Sequence, residues 1–450
     1  MTSPHRARFV RLALIPMVAG VVTIPIAASA VTNTPEDRRE FSSPLYDRPQ
    51  DFDDTAFDAA HGCEFPGDGS LPEDRFVTYD EHVTALEAIE SESAGRVDVD
   101  VVGQSHQGRD IYAGRVGDGD KVVYVTGSIH GNEKTGPEAA LAMLDYLGRS
   151  DHREARAIRQ GITLVAVPMM NPDGNSRSTR QNQMPWDDVV EEWPQLQGAP
   201  QSWNYSERVD GFDTNRDYNP DLDYVVQPED LPGDSASPGF YITPEASAVR
   251  DLYVDLQDEF GTVDTYVDLH HQAPCYTVGD SDDLVTMSIS GKFFPDLDTP
   301  EGEKYREYED TYRPEYAKQL NVAAWNSLQD AAEDRPIFGN ISLYPQDIDL
   351  PGTGLGSFAL NGSGAVLFEV RGQTQSMGHL YREFLVRTVF HGLEGILTAV
   401  ATGTVDDLDP ADYDDIPPRN TMSDEADGGE TAAPESGSGP MSHADLMGAH

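Results

Sequence analysis

Apolar and polar positions divide this chain into four stretches. The first is an apolar run from Leu12 to Ala28, preceded by Arg6, Arg8 and Arg11. Residues 31–75 are rich in Asp, Pro and Ser with little periodicity, which predicts a linker or extended arm. Residues 76–405 alternate short apolar blocks with longer helical patterns. Residues 406–450 are acidic, then Gly/Ser/Pro-rich, and are expected to form a disordered tail.

In the central stretch, Val122–Val125, Ile162–Val167, Thr265–Leu269 and Ala365–Phe368 are unbroken apolar blocks. Such blocks suit strands buried on both faces of a parallel sheet. Helical patterns lie between and after them, at Pro137–Leu147, Pro244–Leu256 and Phe384–Val400. The alternation predicts an α/β fold: a single α/β/α sandwich with a mixed, mostly parallel central sheet. Chemistry in such a domain collects at the carboxyl ends of the central strands.

Charge narrows the function. Asp and Glu number 79 against 31 Lys and Arg, a formal net charge of −48. So negative a field repels phosphate backbones, which argues against a nucleic-acid partner. It also suits a salty medium that screens self-repulsion. The basic start, the apolar run and Ala28-Ser29-Ala30 predict a signal peptide over residues 1–30 and a secreted chain. The alternative is a retained anchor; no later stretch is expected to span a membrane. Cys63 and Cys275 are compatible with one disulfide in an exported protein.

Four motifs carry candidate chemistry. His130-Gly131-Asn132-Glu133 follows the first strand and could bring an imidazole and a carboxylate onto one cation, Gly131 permitting a tight turn. Val267-Asp268-Leu269-His270-His271 ends another strand, and period-two alternation sets Asp268 and His270 on the face opposite Val267 and Leu269. His130, Glu133 and His270 together form a three-donor set that leaves zinc one open position. Phe368-Glu369-Val370-Arg371 delivers a carboxylate from an apolar strand, a costly burial unless it is paired or catalytic. Finally, Asn171-Pro172-Asp173-Gly174, Arg180 and Asp213-Thr214-Asn215-Arg216 supply turn residues and guanidinium groups suited to carboxylates. Each motif alone has a plain structural explanation, as a polar loop, a buried histidine pair or a surface ion pair.

In chain order, His-x-x-Glu, Asn-Pro-Asp-Gly, Arg, Asp-x-Asn-Arg, His and Glu-x-Arg, the motifs resemble the zinc carboxypeptidase family, the carboxypeptidase A-like metallopeptidases. Gly103-Gln104-Ser105-His106-Gln107-Gly108-Arg109 is similar to that family's opening hairpin, and the likeness runs from about Phe76 to about Thr402. The resemblance implies a carboxypeptidase-like fold with one Zn2+ per chain on His130, Glu133 and His270. It implies a zinc-activated water, with Glu369 as general base and Arg180 stabilising the oxyanion. It also implies that Asn215 and Arg216 grip the free C-terminal carboxylate of a peptide substrate, and that Asp213 orients a ligand histidine. Asn132 departs from the pancreatic branch, which has an arginine there. His-Gly-Asn-Glu is closer to branches that cleave cell-wall peptides or acyl-amino acids. The Pro351–Gly364 segment lacks that branch's mobile tyrosine, Tyr344 being the nearest candidate and expected to be structural. The readings left open are a peptide or cell-wall stem-peptide carboxypeptidase, an N-acyl amino acid amidohydrolase, and a non-catalytic binding module. Leu355, Ser357 and Phe358 are expected to line a neutral specificity pocket.

Overall fold

The computed structural model describes residues 76–201, 204–234, 237–273, 275–372 and 378–421. The expected signal peptide, the 31–75 arm and residues 422–450 lie outside the described residues, as does Cys63, so the Cys63–Cys275 pairing does too.

Eight strands form one sheet: β1 (Val97–Gln104), β2 (Asp110–Val116), β3 (Lys121–Gly127), β4 (Ile162–Val167), β7 (Thr265–Gln272), β9 (Met287–Ser290), β10 (Ile341–Leu343) and β11 (Gly364–Arg371). Their spatial order is β1-β2-β4-β3-β7-β11-β9-β10. The central four, β4-β3-β7-β11, are mutually parallel, while β2 and β9 run antiparallel to the central strands they adjoin. These four are the apolar blocks read from the sequence. Each is buried along nearly its whole length because helices cover both faces. Two short pairs lie apart: β5 (Tyr205–Ser206) with β6 (Gly211–Phe212), and β8 (Tyr276–Val278) with β12 (Arg419–Thr421).

The helices are α1 (Tyr79–Glu92), α2 (Thr135–Arg149), α3 (Arg153–Gly161), α4 (Pro172–Arg177), α5 (Trp186–Glu192), α6 (Pro244–Phe260), α7 (Pro314–Ala332), α8 (Gly354–Leu360) and α9 (Gly378–Thr402). A capping box of Thr78 and Glu81 starts α1. On one sheet face, α6 and α8 meet Tyr124, Tyr266 and Leu367. There Phe358 stacks on Tyr253 with centroids 4.0 Å apart and meets Tyr266 edge-on at 4.8 Å. Burying each such ring is worth about 1.5–3 kcal/mol. Helix α9 packs against α7, α2 and α3. Its Arg382–Thr402 part is long and apolar enough to cross a membrane, contrary to the expectation that no later stretch is. Most of that part is buried within the protein, as a core helix is.

Glu138 on α2 ties three elements together. It accepts two bonds from Arg382 of α9, at 2.7 and 2.5 Å, and one from the Val77 amide at the entry to α1.

The tail boundary at 406 requires correction. The chain stays folded through Thr421, because Val405, Tyr413 and Ile416 bury their side chains almost completely. The Tyr413 hydroxyl accepts from the Gly291 amide at 3.1 Å and donates to Gln346 Oε1 at 2.8 Å. The many surrounding aspartates masked these apolar anchors in the composition.

Candidate active site

The site lies at the carboxyl ends of β3, β7 and β11, on the face that carries α6 and α8. Period-two alternation sets Tyr266, Asp268, His270 and Gln272 on that face of β7. The register places Glu369 of β11 beside His270.

After β3 the chain turns through Ser128, at φ 55°, into the loop that bears His130 and Glu133. Gly131 is needed here for close approach: a Cβ at this position would sit 2.0 Å from the Gly174 carbonyl carbon. The Ile129 carbonyl, next to His130, accepts from Asn171 Nδ2 at 3.1 Å and from Thr214 Oγ1 at 2.7 Å. Asp173 accepts from Ser105 Oγ, Arg109 Nη1 and the Gln107 amide. The Asn171–Gly174 turn and the Gly103–Arg109 hairpin therefore serve as scaffold for the metal loop.

His130 Nδ1 lies 2.8 Å from Glu133 Oε1, His270 Nδ1 lies 3.0 Å from Glu133 Oε2, and the two Nδ1 atoms are 3.2 Å apart. All three residues are buried. Tetrahedral zinc with ligand bonds of about 2.0–2.1 Å sets its donors about 3.3 Å apart, so this set fits zinc after a small expansion. Each histidine turns its other nitrogen to an aspartate. His270 Nε2 lies 3.0 Å from Asp268 Oδ2, and His130 Nε2 lies 3.3 Å from Asp213 Oδ1. The Asp268 bond fixes the tautomer that leaves His270 Nδ1 as a lone-pair donor, while Asp213 faces His130 Nε2 as a charge without a hydrogen bond. Burial would raise the Glu133 carboxyl, but the two histidines hold it well below the usual carboxylate range, so it is an anionic donor.

Glu369 is only 3% exposed, and its Oε2 makes no hydrogen bond among the described residues. Burial pushes this carboxyl up to about 8, with His270 opposing the rise and the Glu133 charge adding to it. It is suited to gaining and losing a proton near neutrality. Arg180 donates from Nε to Asp213 Oδ2 at 2.8 Å, and its Nη1 stands 3.2 Å from His130 Nδ1. Burial alone would raise Asp213, but Arg180 and then His130 hold it well below the usual range. Asn215 Oδ1 accepts from the Gly354 amide at 3.1 Å, while its Nδ2 faces His270 Nε2 at 3.4 Å. Arg216 donates from Nη1 to the Asn215 carbonyl at 2.6 Å. Every site residue expected from the sequence thus falls in one neighbourhood.

Three further features were not anticipated. Asp268 backs His270, a role its alternation with His270 could have signalled. His271, on the opposite face, accepts from the Thr135 amide at 3.0 Å and so satisfies the start of α2. Arg419, from the stretch expected to be a tail, carries a charge that acts on Glu369. The expected specificity pocket is corrected: Leu355, Ser357 and Phe358 are buried in α8, with Ser357 Oγ donating to the Asn219 carbonyl. Tyr344 is 2% exposed, and the charges of Glu369, Arg419 and Arg216 act on it.

Residues 82–345 match the sequence profile described as zinc carboxypeptidase. The chain belongs to the zinc carboxypeptidase family. It is therefore a zinc-dependent peptidase, and His130, Glu133 and His270 are the residues that fit its metal. The matched span includes Arg180, Asp213, Asn215 and Arg216 as well, while Glu369 lies beyond it. No curated protein matches this zinc carboxypeptidase. Among solved structures it is similar to thrombin activatable fibrinolysis inhibitor, at 14% identity over 75% of this chain and 76% of that one, TM-score 0.49. It is also similar to a carboxypeptidase A from Helicoverpa armigera, at 17% identity over 76% and 78% of the two chains, TM-score 0.47. A third is a metallo-carboxypeptidase from Pseudomonas aeruginosa in complex with (2-guanidinoethylmercapto)succinic acid, at 16% identity over 73% and 69%, TM-score 0.44.

Proposed function

We propose that this zinc peptidase is an exported metallocarboxypeptidase that hydrolyses the C-terminal peptide bond of its substrate. The observation that carries the reading is Glu369, a buried carboxylate whose Oε2 makes no hydrogen bond among the described residues, set in register beside the His270 of a three-donor metal set. A binding module has no use for such a carboxylate.

Zinc on His130, Glu133 and His270 would supply Lewis acidity toward water and the scissile carbonyl. Glu369 takes the proton of the attacking water and delivers it to the departing amine, and its raised proton affinity supports both roles. Arg180, fixed through Nε by Asp213, offers its remaining N–H groups to the carbonyl oxygen as negative charge develops there. Asp268 holds His270 with its Nδ1 lone pair inward, and Asp213 faces His130 Nε2 as a charge. Arg216 and the Asn215 amide bind the substrate's terminal carboxylate, which fixes the cut one residue from the end. Export rests on the basic start, the apolar run and the Ala-Ser-Ala site of the first thirty residues.

Mass spectrometry of the products of a free-acid peptide and its C-terminally amidated twin tests the reading. One residue is released from the free acid, and amidation lowers kcat/KM about 30-fold or more. Arg216→Ala causes a similar loss on the free acid and little more on the amide. Equal cleavage of both twins, or internal fragments, would reject the exopeptidase reading. A preference for acyl-amino acids over longer peptides would favour an amidohydrolase.

A further inference from the structure

Strand β12 pairs with β8 and is held on the main domain by several bonds. Gly279 N donates to the Pro418 carbonyl at 2.8 Å, Leu343 N to the Pro417 carbonyl at 2.7 Å, and Asn420 Nδ2 to the Gly279 carbonyl at 2.6 Å. This anchoring places Arg419 against the rim of the site. Its guanidinium carbon lies 3.8 Å from the Tyr276 ring centroid and 4.5 Å from that of Tyr344. Its Nη1 donates to Gln272 Oε1 at 2.7 Å. Gln272 lies two residues beyond His270 on the same face of β7, and its Oε1 also accepts from Ser288 Oγ at 2.8 Å. The guanidinium is thus held by two rings and a braced amide, the preorganisation expected of a binding group.

Two points set Arg419 apart from a structural pin. In a chain with 79 acidic residues, it makes no ion pair with a carboxylate among the described residues. Gln272 takes one bond of the five N–H donors that a guanidinium carries. Arg216 likewise makes no carboxylate ion pair among the described residues, and the charges of both arginines act on Tyr344. Two guanidinium groups without a carboxylate ion pair among the described residues therefore act on Tyr344, as Glu369 does, and Arg419 acts on Glu369 as well. On the reading above, Arg216 takes the terminal carboxylate, which leaves Arg419 for a second anion. An overall charge of −48 repels acidic peptides at long range, so binding one requires local cations of this kind.

We infer that Arg419 binds an acidic side chain of the peptide next to the scissile bond, making the enzyme selective for substrates with a carboxylate beside the terminal one. The inference rests on the carboxypeptidase reading.

Its test uses four peptides on one apolar scaffold, with Glu or Gln at the last position and Glu or Gln at the position before it. The wild-type, zinc-loaded enzyme gives a Glu-to-Gln ratio of kcat/KM above one at one of these positions, which locates the subsite. Arg419→Gln lowers that ratio about tenfold, and Arg419→Lys lowers it less because the charge is retained. Zinc content and melting temperature are measured on each variant. The wild-type ratio tests the inference even if a variant fails to fold. Glu and Gln peptides cut equally by the wild type at both positions would overturn it. So would an equal loss on Glu and Gln peptides in Arg419→Gln. A wild-type enzyme that releases no terminal residue from any of the four would instead defeat the carboxypeptidase reading, and this inference with it.

Discussion

Replacing Asp268 with asparagine tests the metal centre through a residue that does not touch the metal. Asp268 is fully buried, accepts from Thr126 Oγ1 through Oδ1 at 2.9 Å, and faces His270 Nε2 through Oδ2 at 3.0 Å. Thr126 is in turn 2.7 Å from the Tyr266 hydroxyl. An asparagine of the same shape can accept from only one of the two neighbours. If its oxygen keeps the Thr126 bond, its NH2 meets His270 Nε2 and favours the tautomer with the proton on Nδ1, where zinc must bind. If it turns round, His270 keeps its tautomer and the NH2 donates to Thr126 Oγ1, which turns its own proton to Tyr266, but the bond to His270 becomes neutral. A charge-assisted bond contributes about 1.5–3 kcal/mol and a neutral one about 0.5–1.5. The difference, about 1–1.5 kcal/mol, is close to tenfold in affinity. Zinc Kd should therefore rise about 10- to 100-fold, the range found when partners of metal-bound histidines are lost. Competition against a chromogenic zinc chelator measures it, with melting of the metal-free forms as the control for folding. A zinc Kd within twofold of wild type, in a folded variant, would refute the tautomer argument.

Two further predictions concern stability. Glu138→Ala leaves Arg382, whose side chain is 13% exposed, and the Val77 amide without their shared carboxylate. It should cost about 3–5 kcal/mol in urea unfolding, and a loss under 1 kcal/mol would show that the pair contributes little. His82 is buried, and burial pushes its imidazole down to about 4 from an ordinary value of 6.5. The unfolded chain binds the extra proton between those values, so the contribution of neutral His82 is complete above about pH 6.5 and is lost as pH falls toward 4. The loss is about 3 kcal/mol. Urea unfolding at pH 7 and pH 4.5 should therefore show a flatter acid limb for His82→Gln, and identical limbs would reject this assignment.

The central strands were legible because parallel strands covered on both faces must be apolar throughout, as Ile162–Val167 is. The metal set was legible because tight spacing (His130 and Glu133) and strand alternation (Asp268 and His270) are local properties of sequence. Strands β9 and β10 carry too few residues for a period to emerge, and neither was foreseen. Phe358 looked like a pocket wall because it lies in a glycine-rich stretch, but only tertiary packing reveals its stack on Tyr253. The 406–421 segment was misread for a related reason. Its aspartates dominate the composition, while Tyr413 and Ile416 anchor it and bring Arg419 back across the sheet to Gln272. Long-range returns of this kind leave little trace in local pattern.

On the proposed reading, Glu369 performs the proton transfers beside a metal held by other side chains. Turnover and zinc content of Glu369→Gln, measured on one purified sample with a free-acid peptide, test it most directly. One zinc per chain, an unchanged fold, and a kcat lower by about 10³ or more are expected, since one residue serves both proton transfers. Near-normal turnover in a zinc-loaded variant would reject Glu369 as the proton carrier.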